Sequence, residues 1–176
     1  MKKYRYFLTG IILAGMLFSS CNKIKEGLNV KFNVNYENNM NFNVPDGSRT
    51  MTFSKSVNID PFSSSVFEKH YDQIKKIEIV SLSAEVTSVT KEVDVISTTV
   101  NVSNDNRSAQ WTLENIPLKV GTVFDLNNDN GQWNVITEIM KDKNVFTEKV
   151  EGEVSEGGVQ FTLKVRIKTK ITVNAL

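Results

Sequence analysis

The stretch from Val159 to Val173 constrains the fold most. Apolar side chains stand at Val159, Phe161, Leu163, Val165, Ile167, Ile171 and Val173, with Gln160, Thr162, Lys164, Arg166, Lys168, Lys170 and Thr172 between them. Successive side chains of a pleated strand point to opposite sides, so this period of two marks a strand with one buried face. At about 3.4 Å per residue it would run on the order of 50 Å, well beyond an ordinary strand. Thr169 is the one polar residue on the inner row. A bend or a change of sheet is therefore expected near it. Burying the apolar row contributes on the order of 10 to 20 kcal/mol before chain entropy is subtracted, which makes this strand central to folding.

The opening of the chain has another character. Lys2, Lys3 and Arg5 precede an apolar run from Phe7 to Phe18, broken by Thr9, Gly10 and Gly15, and Ser19, Ser20 and Cys21 follow. A positive start, a short apolar run and small residues make the layout of a secretory signal peptide, and the run falls short of the about 20 residues that a membrane helix needs. Leu17-Phe18-Ser19-Ser20-Cys21 resembles the lipobox of bacterial lipoproteins, with Phe18 where leucine is usual. The resemblance implies that residues 1–20 are a lipoprotein signal peptide and that Cys21 receives the acyl anchor, of the palmitate type. Residues 21–27 would be a short tether, and residues 28–176 a single domain. Asn22 is not the aspartate of inner-membrane retention, and Asn22-Lys23-Ile24-Lys25-Glu26 is not an acidic surface-export run. The implied address is the cell envelope, on the periplasmic face of an outer membrane, with the membrane as partner through the lipid. A tether from Asn22 to Gly27 spans about 20 Å at most.

The whole chain carries 21 basic and 20 acidic residues, one histidine and one cysteine. Cleavage before Cys21 removes three of the basic residues and leaves a net charge of −2. That balance gives no electrostatic case for nucleic acid. A lone cysteine allows no disulfide within the chain, so folding must rest on a core.

Leu28, Val30, Phe32, Val34 and Tyr36 alternate with polar residues, as do Met40, Phe42 and Val44, which predicts one or two strands with Glu37-Asn38-Asn39 as a turn. Pro45-Asp46-Gly47-Ser48 is a stronger turn signal. Met51, Phe53, Val57 and Ile59 predict a return strand. Ser65 with Glu68 has the form of a capping box opening a short helix that carries His70. Alternation then slips by one residue between Ile79 and Val80, and again between Val95 and Ile96, and each slip predicts a bulge. Ala109, Trp111 and Leu113 continue the pattern. A second helix is predicted from about Gln132 to Asp142, capped by Asp129 or Asn130. The strand from Val145 to Val154 is expected to turn through Ser155-Glu156-Gly157-Gly158 into the last strand, setting Glu151 beside Lys164. The fold class expected is mainly β, an antiparallel two-layer β-sandwich with two short helices.

Few residues point to chemistry. A serine hydrolase would need His70 as its base, yet the sequence has no Gly-x-Ser-x-Gly elbow, and one histidine with one cysteine makes no zinc cluster. His70 is expected to bridge its helix to a sheet edge or to solvent. Asp125, Asn127 and Asp129 have the spacing that opens a calcium loop, but Gly131 comes one position late and Ile136 stands where a closing carboxylate belongs. Lys164, Arg166, Lys168 and Lys170 form a basic row that could meet a phosphate-bearing lipid, an anionic glycan or an acidic partner. The plainer reading is a solvated face partly neutralised by Glu151 and Glu153. Trp111 and Trp133 continue apolar stripes and are expected in the core; exposed in a cleft, either would be a platform for a sugar. Asp125, Asp129 or Glu138 would serve a hydrolase only if two acids faced each other across a groove. The function expected is a lipid-anchored envelope protein that works by binding or assembly and is not an enzyme, with no cofactor. Its partner would be an envelope protein or glycan, and the alternative is a glycan- or lipid-binding module.

Overall fold

The computed structural model describes residues 29–47 and 51–174. The expected signal peptide, Cys21 and the tether lie outside them. Among the described residues, eight strands and two α-helices follow in the order β1 (Asn29–Val44), β2 (Thr52–Ile59), α1 (Ser65–His70), β3 (Ile74–Val89), β4 (Val93–Ser103), β5 (Ser108–Leu118), β6 (Val123–Asp125), α2 (Gln132–Lys141), β7 (Phe146–Val154) and β8 (Val159–Asn174). They form two four-stranded antiparallel sheets, ordered β1-β8-β3-β6 and β2-β7-β4-β5. The mainly-β, two-layer sandwich with two short helices is thus the architecture.

Among the described strands, only β4 and β5 are both consecutive in the chain and paired. Every other connection crosses between layers. The Ser155–Gly158 segment therefore does not close a hairpin: β7 lies between β2 and β4, and β8 lies between β1 and β3. Glu151 pairs with Ser54 and Thr99, whereas Lys164 pairs with Asn39 and Glu85. The turn sequence fits a hairpin locally, but each strand has an inward face that buries better between two sheets than in one.

β8 keeps one sheet along its whole length. Its pairing with β1 runs unbroken from Val44 opposite Val159 to Asn29 opposite Asn174, without the change expected at Thr169. Thr169 is buried and its Oγ1 donates to the Val34 carbonyl at 3.0 Å, so the inner row tolerates it by satisfying its hydroxyl. β1 is likewise one strand. Glu37, Asn38 and Asn39 lie opposite Arg166, Val165 and Lys164 and make no turn. The irregularities sit on β3 and β4, where the register shifts between Ile79 and Ser81 and between Val95 and Ser97. Val80 and Ile96, the extra residues, are exposed, as an unpaired bulge residue is when both flanking stretches must face the core.

Phe42 from β1, Phe161 from β8 and Phe53 from β2 meet in the core, the first two stacked at 4.8 Å and each edge-on to Phe53 at 5.1 Å. Gly152 on β7 lies under that cluster, where an added Cβ would stand 2.7 Å from the Phe53 ring and 2.4 Å from the Ser97 carbonyl oxygen. Helix capping departs from expectation at both helices. Ser64, not Ser65, precedes α1, and the Asp60 side chain caps the preceding 3-10 turn by accepting from the Phe62 N–H at 2.9 Å. Gly131, in the left-handed region at φ 78°, precedes α2, and the Asn128 side chain accepts from the Trp133 N–H at 2.9 Å in place of Asp129 or Asn130.

Candidate functional site

α2 presents two faces. Ile136, Ile139 and Met140 are fully buried against the sandwich, while Trp133, Asn134, Thr137, Glu138 and Lys141 line a cleft of about 430 Å³ between the helix and β3. Lys76, Ile77, Glu78, Ile79 and Asn128 complete its walls. Trp133 sits where the two faces meet. Its indole N–H donates to the Leu126 carbonyl at 2.8 Å, and the ring, half-buried, forms part of the wall. Trp133 packs against the core as expected, but only in part: the helical stripe Trp133, Thr137, Lys141 turns polar within one turn, and that leaves the ring facing the cleft as well. Trp111 is buried as expected, with its N–H donating to the Asn127 carbonyl at 2.7 Å.

The cleft carries charge on both walls. Lys76 and Glu78 pair at 2.8 Å on β3, and Lys141 and Glu138 pair at 2.7 Å on α2. The Lys76 hydrogen bond, helped by Lys170 and Lys31, holds the Glu78 carboxyl below its ordinary range. A hydrolytic acid needs the opposite shift, so that it keeps a proton to donate.

The cleft opens onto the outer face of the β1-β8-β3 sheet through Glu78, which pairs with Lys170. There the basic row stands between two polar columns. Lys164, Arg166, Lys168 and Lys170 lie opposite Asn39, Glu37, Asn35 and Asn33 of β1. Glu85, Ser83, Ser81 and Glu78 of β3 flank their other side. Arg166 bridges Glu37 at 3.3 Å and Glu85 at 2.6 Å. Glu37 and Glu85 thus neutralise part of the row, at Arg166, and not Glu151 and Glu153, which lie in the other sheet.

Asp125 ends β6 opposite Ser83, the Asn127 carbonyl is bonded to Trp111, and the Asn128 side chain is spent on the helix. Among the described residues, no three His, Cys, Asp or Glu side chains gather where they could hold a metal. His70 stacks on Phe32 of β1 at 5.2 Å, with Nδ1 3.3 Å from the Gln73 Oε1.

One residue escaped the sequence reading. Glu148 on β7 is fully buried, with Oε2 accepting from the Asn38 amide of β1 at 3.4 Å and Oε1 unpartnered among the described residues. Burial pushes its carboxyl up to about 7, against a smaller opposing effect of the Asn38 hydrogen bond. The signal was there: Glu148 occupies the inward parity of β7 between Phe146 and Val150.

No family model matches the sequence, and no curated protein is similar to it. Solved structures with a distant likeness include a decameric BFDV capsid protein, 8% identical with a TM-score of 0.43 over 82% of this chain and 99% of that one. A Mud crab tombus-like virus structure gives 11% identity and a TM-score of 0.37 over 85% of this chain and 92% of the other.

Proposed function

We propose that the chain is a lipid-anchored protein of the cell envelope that binds an envelope glycan and does not transform it. Cys21 would carry the anchor, and the domain would sit close to the periplasmic face of the outer membrane. The observation that carries the binding reading is the placement of Trp133, a half-buried indole in the wall of an open cleft beside amide and hydroxyl side chains. An aromatic ring stacks on the apolar face of a sugar while amides and hydroxyls bond its edge, which favours a glycan over a lipid tail. Lys164, Lys168 and Lys170 on the adjoining face, outside the Arg166 bridges to Glu37 and Glu85, suit an anionic saccharide.

Two experiments test the two halves. Labelled palmitate and membrane fractionation, comparing the natural chain with Cys21→Ala, should show label and membrane association lost together; a natural chain that takes no label and stays soluble overturns the anchor. Co-sedimentation with purified envelope polysaccharide should be strong for the natural chain and at least tenfold weaker for Trp133→Ala. Equal sedimentation of the two overturns the cleft.

A further inference from the structure

Open sheet edges invite another strand, and proteins usually blunt them. Three of the four edges here are blunted. β6 has only 3 residues, β2 has 8, half as many as β1, and carries Lys55, and β5 is interrupted by Pro117 and by Asn115 at a positive φ of 54°. β1 is different. It is a 16-residue edge strand with no proline and an unbroken register to β8, and among the described residues no strand pairs with its outer side. Beside it a groove of about 550 Å³ separates β1 from β2, lined by Asn35, Tyr36, Asn38, Asn58, Asp60 and Ser63. An added strand would have room there.

The outward row of β1 shows which strand fits. It reads Asn29, Lys31, Asn33, Asn35, Glu37, Asn39. A second copy placed antiparallel on a two-fold axis through Val34 sets Lys31 opposite Glu37 twice, Asn33 opposite Asn35 and Asn29 opposite Asn39. Inward residues then also meet inward ones, Phe32 with Tyr36, because the pairing preserves parity. Each asparagine amide both donates and accepts, so Asn can face Asn. The charge pattern also selects the register: an axis through Glu37 would set like charges opposite each other, and one through Tyr36 or Asn38 would leave Lys31 without a carboxylate. We infer that β1 is a self-association edge at which two copies of this chain join their β1-β8-β3-β6 sheets into one continuous sheet, in the register centred on Val34. The interface is isologous, the form that a closed dimer requires.

The test uses the full chain in mild detergent, with protein mass measured by light scattering after the detergent contribution is subtracted. The natural chain should have the mass of two copies. Lys31→Glu and Glu37→Lys should each fall to one copy, because each sets two like-charged pairs across the axis. An equimolar mixture of the two variants, and the double swap Lys31→Glu/Glu37→Lys, should return to two copies. A natural chain that stays single, single reversals that leave the dimer intact, or a double swap that remains single overturns the inference. Should a reversal prevent folding, hydrogen exchange of the natural chain decides: amides between Asn29 and Asn39 must exchange more slowly as protein concentration rises, and concentration-independent exchange overturns it.

Discussion

The closed interior holds a tryptophan and a glutamate, and the open cleft a tryptophan and two glutamates. Trp111 and Trp133 anchor their indole N–H groups on neighbouring carbonyls of one loop, Asn127 and Leu126, so the hydrogen bond does not separate them. Their surroundings do. Trp111 comes from β5 and points into the sandwich, whereas Trp133 stands at the border of the apolar stripe of α2 and forms a wall open to solvent. The glutamates divide the same way. Glu148 is enclosed with one oxygen unpartnered and is driven towards its neutral form, while Glu78 lies open beside Lys76 and is held charged. The same residue types become structural or available for binding according to which side of a thin layer they occupy.

The largest effect should come from breaking the interior. Trp111→Ala removes a buried ring, and unfolding in denaturant should show a loss of about 3 to 5 kcal/mol. The next concerns Glu148, and its sign is unusual for a carboxylate. The folded chain holds this proton up to about pH 7, whereas the unfolded chain releases it near 4.5. The native state therefore binds more protons between those values, and stability falls as pH rises through that window, then levels off. The loss is on the order of 3 kcal/mol. Glu148→Gln should abolish that slope and be the more stable protein at pH 8 by denaturant titration. Gly152→Ala comes next. The Ser97 carbonyl and the Phe53 ring leave no room for a methyl group, and thermal unfolding should report a loss of about 2 kcal/mol. Trp133→Ala sharpens the contrast. It should cost only about 1 to 2 kcal/mol of stability, yet remove most glycan binding.

Much of the layout was legible because period and phase are local. The slips at Val80 and Ile96 announced bulges, since only an extra residue keeps the residues on both sides of it facing inward. The run of α2 was legible from Ile136, Ile139 and Met140. Partnership between strands was not. Ser155–Gly158 looks like a hairpin turn in isolation, and the assignment of β7 and β8 to separate sheets depends on contacts far along the chain. Asn38 suggested a turn because it lies between two polar residues; its inward position makes sense only beside Glu148, 110 residues away. The cleft was half visible. The sequence offers Trp133 as a sugar platform if it is exposed, but nothing local shows that β3 stands opposite it.

Glycan binding at the cleft is measured most directly in a chain where Trp133 is the only tryptophan. In a Trp111→Phe chain that retains its fold, emission should be followed while oligosaccharides prepared from envelope polysaccharide are added. Glycan binding at the cleft should give a saturable shift in emission, because a sugar stacked on the indole changes its exposure to water. Emission that stays flat with every envelope oligosaccharide, while the chain remains folded, would contradict it.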